Sequence, residues 1–200
     1  LKNPHPILEA LTKIRVSRAF SKNEVRDRVL PTYLGLVKQL DDHLGRLFQF
    51  LEDQGSYDQT LIVFTSDHGD YLGDHWLGEK DWFHEPSVKI PLIIRDPSQE
   101  ANCSRGSRSS ELVESIDLIP TFIEALGGTF PDHILEGHSL KTLLHNTSSK
   151  SIREYALSEY DYSVAPISSL LNSDPKKARV YMLATQRWRY IHTIGYRPVL

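Results

Sequence analysis

The feature that most constrains the fold is a continuous apolar run at residues 60–65 that stops abruptly at a polar group. A short run without charged residues is typical of a strand buried on both faces in a parallel sheet. Ser66, Asp67, His68 and Gly69 follow it directly. Because ligands in open α/β sheets bind beyond the carboxyl ends of the strands, we predict that this loop carries the chemistry.

The segments around this strand predict an α/β order. Apolar residues recur at three- and four-residue steps over residues 32–54, which predicts a long amphipathic helix that begins just after Pro31. A second apolar run at residues 90–95 predicts another strand. The stripe at residues 116–126, with Ser115 as its cap, predicts a further helix. Helix, strand, loop, strand and helix in that order indicate an α/β protein.

The pattern changes at about residue 150 to short strands. Residues 155–160 alternate in polarity, and residues 180–185 and 188–193 are rich in aromatic and β-branched side chains. The two residues between the last two runs predict a hairpin turn. We therefore predict two units, residues 1–149 as an α/β core and residues 150–200 as a small antiparallel β subdomain.

The composition excludes several classes of function. The 200 residues are 40% hydrophobic and 24% charged with a net charge of −3, which gives a globular chain without a basic surface for nucleic acid. Cys103 is the single cysteine, so an internal disulfide and a cysteine-based zinc site are both excluded. No apolar run reaches the roughly 20 residues that span a bilayer. We expect neither a nucleic-acid partner nor a membrane partner.

Asp67 and His68 together provide two ligand types for a divalent metal ion. A carboxylate oxygen and an imidazole nitrogen lie at the end of a rigid strand, and Gly69 permits a close backbone approach. The alternative is that Asp67 caps the following turn and His68 is an ordinary loop residue. Downstream, Lys80 either places its charge against an anionic substrate or is a solvated lysine beside Glu79.

A longer pattern resembles a known family. The chain is similar to the sulfatases of the alkaline phosphatase superfamily over about residues 29–200, most of all to the phosphonate monoester hydrolase and arylsulfatase branch. The resemblance rests on stretches that keep the order and spacing of the family: residues 40–46, 60–70, 72–75, 80 and 90–97.

The resemblance implies a fold. That fold is α/β, an alkaline phosphatase-like sandwich with a partial central mixed sheet flanked by helices, plus a small antiparallel C-terminal subdomain. Residues 1–149 then correspond to the C-terminal part of the sulfatase core.

The resemblance also implies a reaction and a site. The reaction is hydrolysis of a small anionic ester, a sulfate or phosphonate monoester. In the family, the residues that match Asp67 and His68 bind one divalent metal, and the lysine that matches Lys80 contacts the substrate anion. His75 is a further candidate catalytic residue. We expect manganese first, with calcium or zinc as alternatives.

The nucleophile of the family is not found in these 200 residues. In the family it is a formylglycine made from a cysteine or serine within a Cys/Ser-x-Pro/Ala-x-Arg motif. Cys103 lacks that context and follows the Asp-His pair instead of preceding it. We therefore expect the C-terminal portion of a longer enzyme, inactive by itself, that pairs with a missing N-terminal half or forms a homo-oligomer.

Two other functions stay open. A phosphatase or pyrophosphatase of the same superfamily also carries a strand-end Asp-His pair, but such enzymes use two metals and a further histidine. A non-catalytic sulfatase-like domain is the second alternative, and the upstream half decides between it and an enzyme. The expected compartment is the cytoplasm, with a periplasmic or exported location as the alternative.

Overall fold

A computed structural model describes residues 4–131, 133–146, 151–163, 166–171, 174 and 178–200. The described helices are α1 (Pro6–Leu11), α2 (Arg15–Ala19), α3 (Asn23–Asp53), α4 (Glu85–Val88), α5 (Leu118–Ala125), α6 (Lys141–Leu144) and α7 (Pro166–Leu170). The described strands are β1 (Ile62–Thr65), β2 (Leu92–Arg95), β3 (Ala156–Asp161), β4 (Arg179–Ala184) and β5 (Arg189–Thr193). In the described ranges, every helix is too short or too polar to cross a lipid bilayer.

Helix α3 is longer than the helix predicted over residues 32–54. It begins at Asn23 and continues through Pro31, which the sequence placed near its start. Val25 and Val29 carry the three- and four-residue apolar spacing upstream of the proline. The continued stripe outweighs the single hydrogen bond that the proline removes. All 31 residues of α3 are at least partly exposed to solvent.

Strand β1 pairs with β2 in antiparallel orientation, with Ile62 opposite Arg95 and Thr65 opposite Leu92. Each residue of β1 is at least partly exposed. The prediction of a strand buried on both faces in a parallel sheet is therefore wrong for the described residues. An apolar run does not encode strand direction, because direction depends on the path of the chain between the two strands. Residues 66–91 connect β1 to β2 without the long crossover helix that usually joins parallel neighbours.

Strands β3, β4 and β5 form a sheet in that order, and its antiparallel pairing agrees with the prediction. A turn joins β4 and β5, in which the Thr185 N–H donates to the Trp188 carbonyl at 2.8 Å. This turn confirms the predicted hairpin. The predicted boundary between residues 149 and 150 falls at residues 147–150, outside the described residues, so the division into two units stays a prediction.

The main hydrophobic cluster joins the C-terminal sheet to α1 and to the loop that follows β1. Its large buried members are Ile7, Leu11, Tyr71, Leu77, Trp82, Phe83, Tyr162, Ile167, Val180, Met182 and Ile191. Because four of these side chains belong to the loop after β1, core packing fixes the segment that carries the predicted site.

Candidate functional site

A tight turn at the end of β1 fixes the two predicted metal ligands. The Ser66 hydroxyl donates to the His68 carbonyl at 2.7 Å, and the His68 N–H donates to Asp67 Oδ1 at 3.0 Å. His68 Nδ1 lies 2.8 Å from the Gly69 carbonyl oxygen. Because a carbonyl only accepts, Nδ1 carries the proton, and the lone pair of the neutral ring is on Nε2.

The geometry of this pair fits a divalent cation. His68 Nε2 lies 3.4 Å from Asp67 Oδ2. Two ligand atoms that each bond one ion at about 2.0–2.2 Å are compatible with that separation. A metal-binding histidine usually donates its other ring N–H to a carbonyl or carboxylate, as His68 does. In the described ranges no three His, Cys, Asp or Glu side chains are arranged to hold a metal, and the metal role of Asp67 and His68 stays a prediction.

Lys80 has only a weak electrostatic influence on Asp67. The pKa of Asp67 lies below its ordinary value: desolvation opposes the shift, and positive charge on His68, backbone hydrogen bonds to the carboxylate and, last, the charge of Lys80 outweigh it. Among the described residues no ion pair joins Lys80 to Asp67 or His68, so the structure brings Asp67 and His68 together while the role of Lys80 stays a prediction.

Backbone hydrogen bonds join the loop after β1 to the segment that leads to β2. The Gly69 N–H donates to the Ser87 carbonyl at 2.8 Å, and the Tyr71 N–H donates to the Glu79 carbonyl at 3.0 Å. Leu72, His75, Trp76 and Glu79 in this region adopt left-handed backbone with φ of 46°, 53°, 58° and 64°. Such conformations cost about 1–3 kcal/mol each and cluster at functional sites, where surrounding contacts hold them.

His75 lies against His84. The two imidazole rings stack with centroids 4.0 Å apart and planes inclined by 11°. The buried Tyr71 hydroxyl lies 3.0 Å from His84 Nδ1. Burial lowers the pKa of His84 to about 4, and the charges of His75 and Arg189 act in the same direction. At neutral pH the Tyr71 hydroxyl therefore donates to an unprotonated His84. The predicted catalytic role of His75 stays a prediction.

Burial of the His84 ring is expected to make the free energy of unfolding fall in acid. The pKa of His84 is lower in the folded protein than its ordinary 6.5, so the unfolded chain binds the proton more readily. The contribution is complete above pH 6.5 and is lost as pH falls toward about 4. A shift of this size in a fully buried ring corresponds to about 3 kcal/mol, and partial solvent screening reduces it to about 1–2 kcal/mol.

Urea denaturation at pH 7 and pH 4.5 measures this loss. His84→Phe keeps a ring in the same place but cannot titrate, so it should lose less stability between the two pH values than wild type. His192→Phe replaces an exposed histidine and should lose as much as wild type. Equal losses in wild type and His84→Phe would contradict the prediction.

Gly69 is expected not to tolerate a side chain. A Cβ at this position would lie 1.9 Å from the Pro86 carbonyl oxygen, a main-chain atom that cannot rotate away. Gly69→Ala should therefore push the two loops apart and lower the free energy of unfolding by about 1–3 kcal/mol.

The matched control is Gly35→Ala in α3, where nothing lies within 4 Å of the new Cβ. That substitution should raise the free energy of unfolding by up to about 1 kcal/mol. Urea denaturation of both variants measures the difference. A Gly69→Ala protein as stable as wild type would show that the loops do not approach as closely as described.

A second cluster of charged side chains stabilises the fold. Fully buried Asp117 accepts the Glu114 N–H at 2.7 Å and the His138 N–H at 2.8 Å. Arg153 forms ion pairs with both Asp117 and Glu114. Glu114 and Asp117 also form a reciprocal capping box in place of the predicted Ser115 cap. Because protein donors occupy both oxygens of Asp117, this cluster has a structural role.

The sequence did not single out Tyr71, Ser87 or Arg189. Tyr71 gave one weak signal, since an aromatic residue inside a polar loop often anchors that loop in the core. Ser87 gave none, because its partners Gly69 and Lys80 lie 18 and 7 residues away in the chain.

Two family models match the chain. The Sulfatase model matches residues 1–128, and the model for N-sulphoglucosamine sulphohydrolase, C-terminal, matches residues 73–196. Together they cover the strand-end loop, α4, β2 and the C-terminal sheet.

Relatives of known description are about one third identical to the chain over the region in which they align. It is 34% identical over 181 residues to the multifunctional alkaline phosphatase superfamily protein PehA of Trinickia caryophylli, covering 89% of this chain and 34% of that protein. It is 32% identical over 200 residues to arylsulfatase K of Xenopus laevis, covering 96% and 34%. The chain thus spans about a third of the length of these relatives.

Solved structures confirm the predicted fold class. The phosphonate monoester hydrolase SpPMH from Silicibacter pomeroyi superposes with a TM-score of 0.84 at 29% identity, covering 97% of this chain and 40% of that one. The phosphonate monoester hydrolase of Agrobacterium radiobacter gives 0.80 at 29% identity, covering 89% and 35%. The resemblance predicted from the Asp-His pair and its neighbours is confirmed, and the chain belongs to the sulfatase family of the alkaline phosphatase superfamily.

Proposed function

We propose that this chain supplies half of the metal site and the substrate-binding lysine of a hydrolase that cleaves sulfate or phosphonate monoesters. The observation that carries the proposal is the strand-end turn, in which His68 Nδ1 is bonded to the Gly69 carbonyl and His68 Nε2 lies 3.4 Å from Asp67 Oδ2. Membership of the sulfatase family, with arylsulfatase and phosphonate hydrolase relatives, supports this ester class.

Each of the three side chains has a distinct task in this proposal. A divalent metal, when bound, supplies positive charge that stabilises the anionic oxygens of the ester. Asp67 and His68 would hold it, and manganese suits this donor set, with zinc and calcium as alternatives. Lys80 would face the anion as a second positive charge. The nucleophile and the remaining ligands would come from another part of the sulfatase fold.

We place that further part against the apolar stripe of α3. Eight large apolar side chains of the helix are at least 40% exposed: Leu30, Tyr33, Leu34, Leu36, Val37, Leu40, Leu47 and Phe50. A continuous apolar patch on a helix normally marks a protein contact. The share of the relatives that this chain spans supports the rest of the sulfatase fold as the occupant.

Light scattering after gel filtration tests this contact. The 200-residue chain alone should self-associate through the stripe, and Leu34→Lys with Leu40→Lys should make it monomeric. The molar mass of the protein expressed from its complete natural reading frame should not rise with concentration through this stripe. A monomeric 200-residue chain with the stripe intact would contradict the proposal.

The function is tested with the protein expressed from its complete natural reading frame. Hydrolysis of p-nitrophenyl sulfate and p-nitrophenyl phenylphosphonate is measured before and after EDTA, then after addition of Mn²⁺, Zn²⁺ or Ca²⁺. We expect hydrolysis of at least one ester that EDTA abolishes and Mn²⁺ restores best. Metal-dependent cleavage of nucleotide pyrophosphates alone would favour the pyrophosphatase alternative, and no hydrolysis at all would favour the non-catalytic domain.

A further inference from the structure

Ser87 lies between the loop that carries Asp67 and His68 and the main chain of Lys80. Its carbonyl accepts the Gly69 N–H at 2.8 Å, directly after the Asp67–His68 pair. Its hydroxyl donates to the main-chain carbonyl of Lys80. The residue is buried, with 4% of its surface exposed. A single residue is therefore bonded both to the loop with the metal ligands and to the residue with the substrate-binding amine.

The position of Ser87 is itself fixed from several sides. Its N–H donates to the His84 carbonyl at 3.0 Å within α4. The Pro86 carbonyl beside it occupies the space in which a Cβ of Gly69 would lie. The turn at residues 84–87 thus holds Ser87 at a fixed distance from Gly69. The hydroxyl of Ser87 extends that restraint to Lys80.

The Lys80 carbonyl accepts a second hydrogen bond, from the Trp82 N–H at 2.9 Å. Loss of the Ser87 hydroxyl would therefore leave a local turn at residues 80–82 but would free that turn from the metal-site loop. Because a lysine amine lies at the end of four rotatable bonds, its mean position depends on a well-anchored main chain.

We propose that Ser87 is a positioning residue that fixes the Lys80 amine relative to Asp67 and His68 through its hydroxyl bond to the Lys80 carbonyl. This inference rests on the proposed function. Ser87 does not contact substrate in this account. It limits how far the positive charge of Lys80 can drift from the place where negative charge develops, and preorganised charge of this kind is a main source of rate enhancement.

The test compares three variants of the protein expressed from its complete natural reading frame. Ser87→Ala removes the hydroxyl, Ser87→Thr keeps it, and Ser104→Ala removes a hydroxyl that donates to the Leu144 carbonyl elsewhere in the fold. We expect Ser87→Ala to lower kcat about 10- to 100-fold with little change in KM, since small misplacements of catalytic groups cost up to about 100-fold. Ser87→Thr should restore most of kcat, and Ser104→Ala should match wild type.

Amide hydrogen exchange gives a readout that does not depend on hydrolysis. Exchange at residues 80–83 should become at least about tenfold faster in Ser87→Ala and stay at the wild-type rate in Ser87→Thr and Ser104→Ala. If wild type hydrolyses neither ester, the proposed function fails, and exchange alone decides whether Ser87 anchors Lys80. Unchanged exchange in Ser87→Ala, or unchanged kcat in an active protein, would overturn the inference.

Discussion

Asp67→Ala is expected to lower kcat/KM for the ester substrate about 10³-fold in the protein expressed from its complete natural reading frame. Asp67 is one of the two metal ligands that we propose in this chain, and its Oδ2 lies 3.4 Å from His68 Nε2. Removal of the carboxylate leaves His68 as the one proposed ligand from this chain, so the site should bind the metal more weakly and lose much of its positive charge. Steady-state kinetics and calorimetric titration with Mn²⁺ measure both effects.

Asp58→Ala is the matched control for this substitution. Its carboxylate is also exposed and forms an ion pair with Arg95 at 2.8 Å, but it precedes β1 whereas Asp67 follows it. Exposed ion pairs contribute little, so kcat/KM and Mn²⁺ affinity should stay within about twofold of wild type. If Asp67→Ala retained wild-type Mn²⁺ affinity, Asp67 would not be a ligand and the proposed site would be wrong.

Asp117→Asn is expected to lower the free energy of unfolding by about 3–5 kcal/mol, the largest effect on folding that we predict. The substitution keeps the shape of the side chain but removes the charge that pairs with buried Arg153. The new amide group would also face the Glu114 and His138 N–H donors, which need acceptors. A buried guanidinium that loses one of its two carboxylate partners and an unsatisfied donor are both costly.

Urea denaturation at pH 7 measures this loss against Asp161→Asn. Asp161 pairs with Arg179 at 3.4 Å, but both side chains are largely exposed, so its replacement should leave the urea midpoint nearly unchanged. A fully stable Asp117→Asn protein would contradict the structural role of this cluster.

The sequence by itself determined the features that depend on local signals. Apolar periodicity located α3, β1, β2, α5 and the β4–β5 hairpin, because burial of one face or of a whole segment is visible over a few residues. The Asp67–His68 pair could be recognised for the same reason, since the two candidate ligands are adjacent and one tight turn fixes them. Motif order and spacing were sufficient to identify the family, which the comparisons confirm.

Only the tertiary structure decided the features that depend on contacts between distant residues. The antiparallel pairing of β1 with β2 depends on the path of residues 66–91, and the apolar composition of either strand is the same in both orientations. The stacking of His75 on His84 and the bonds of Ser87 to Gly69 and Lys80 join residues 7 to 18 positions apart. No short pattern encodes such partners, because the core packing of Tyr71, Leu77 and their neighbours brings them together.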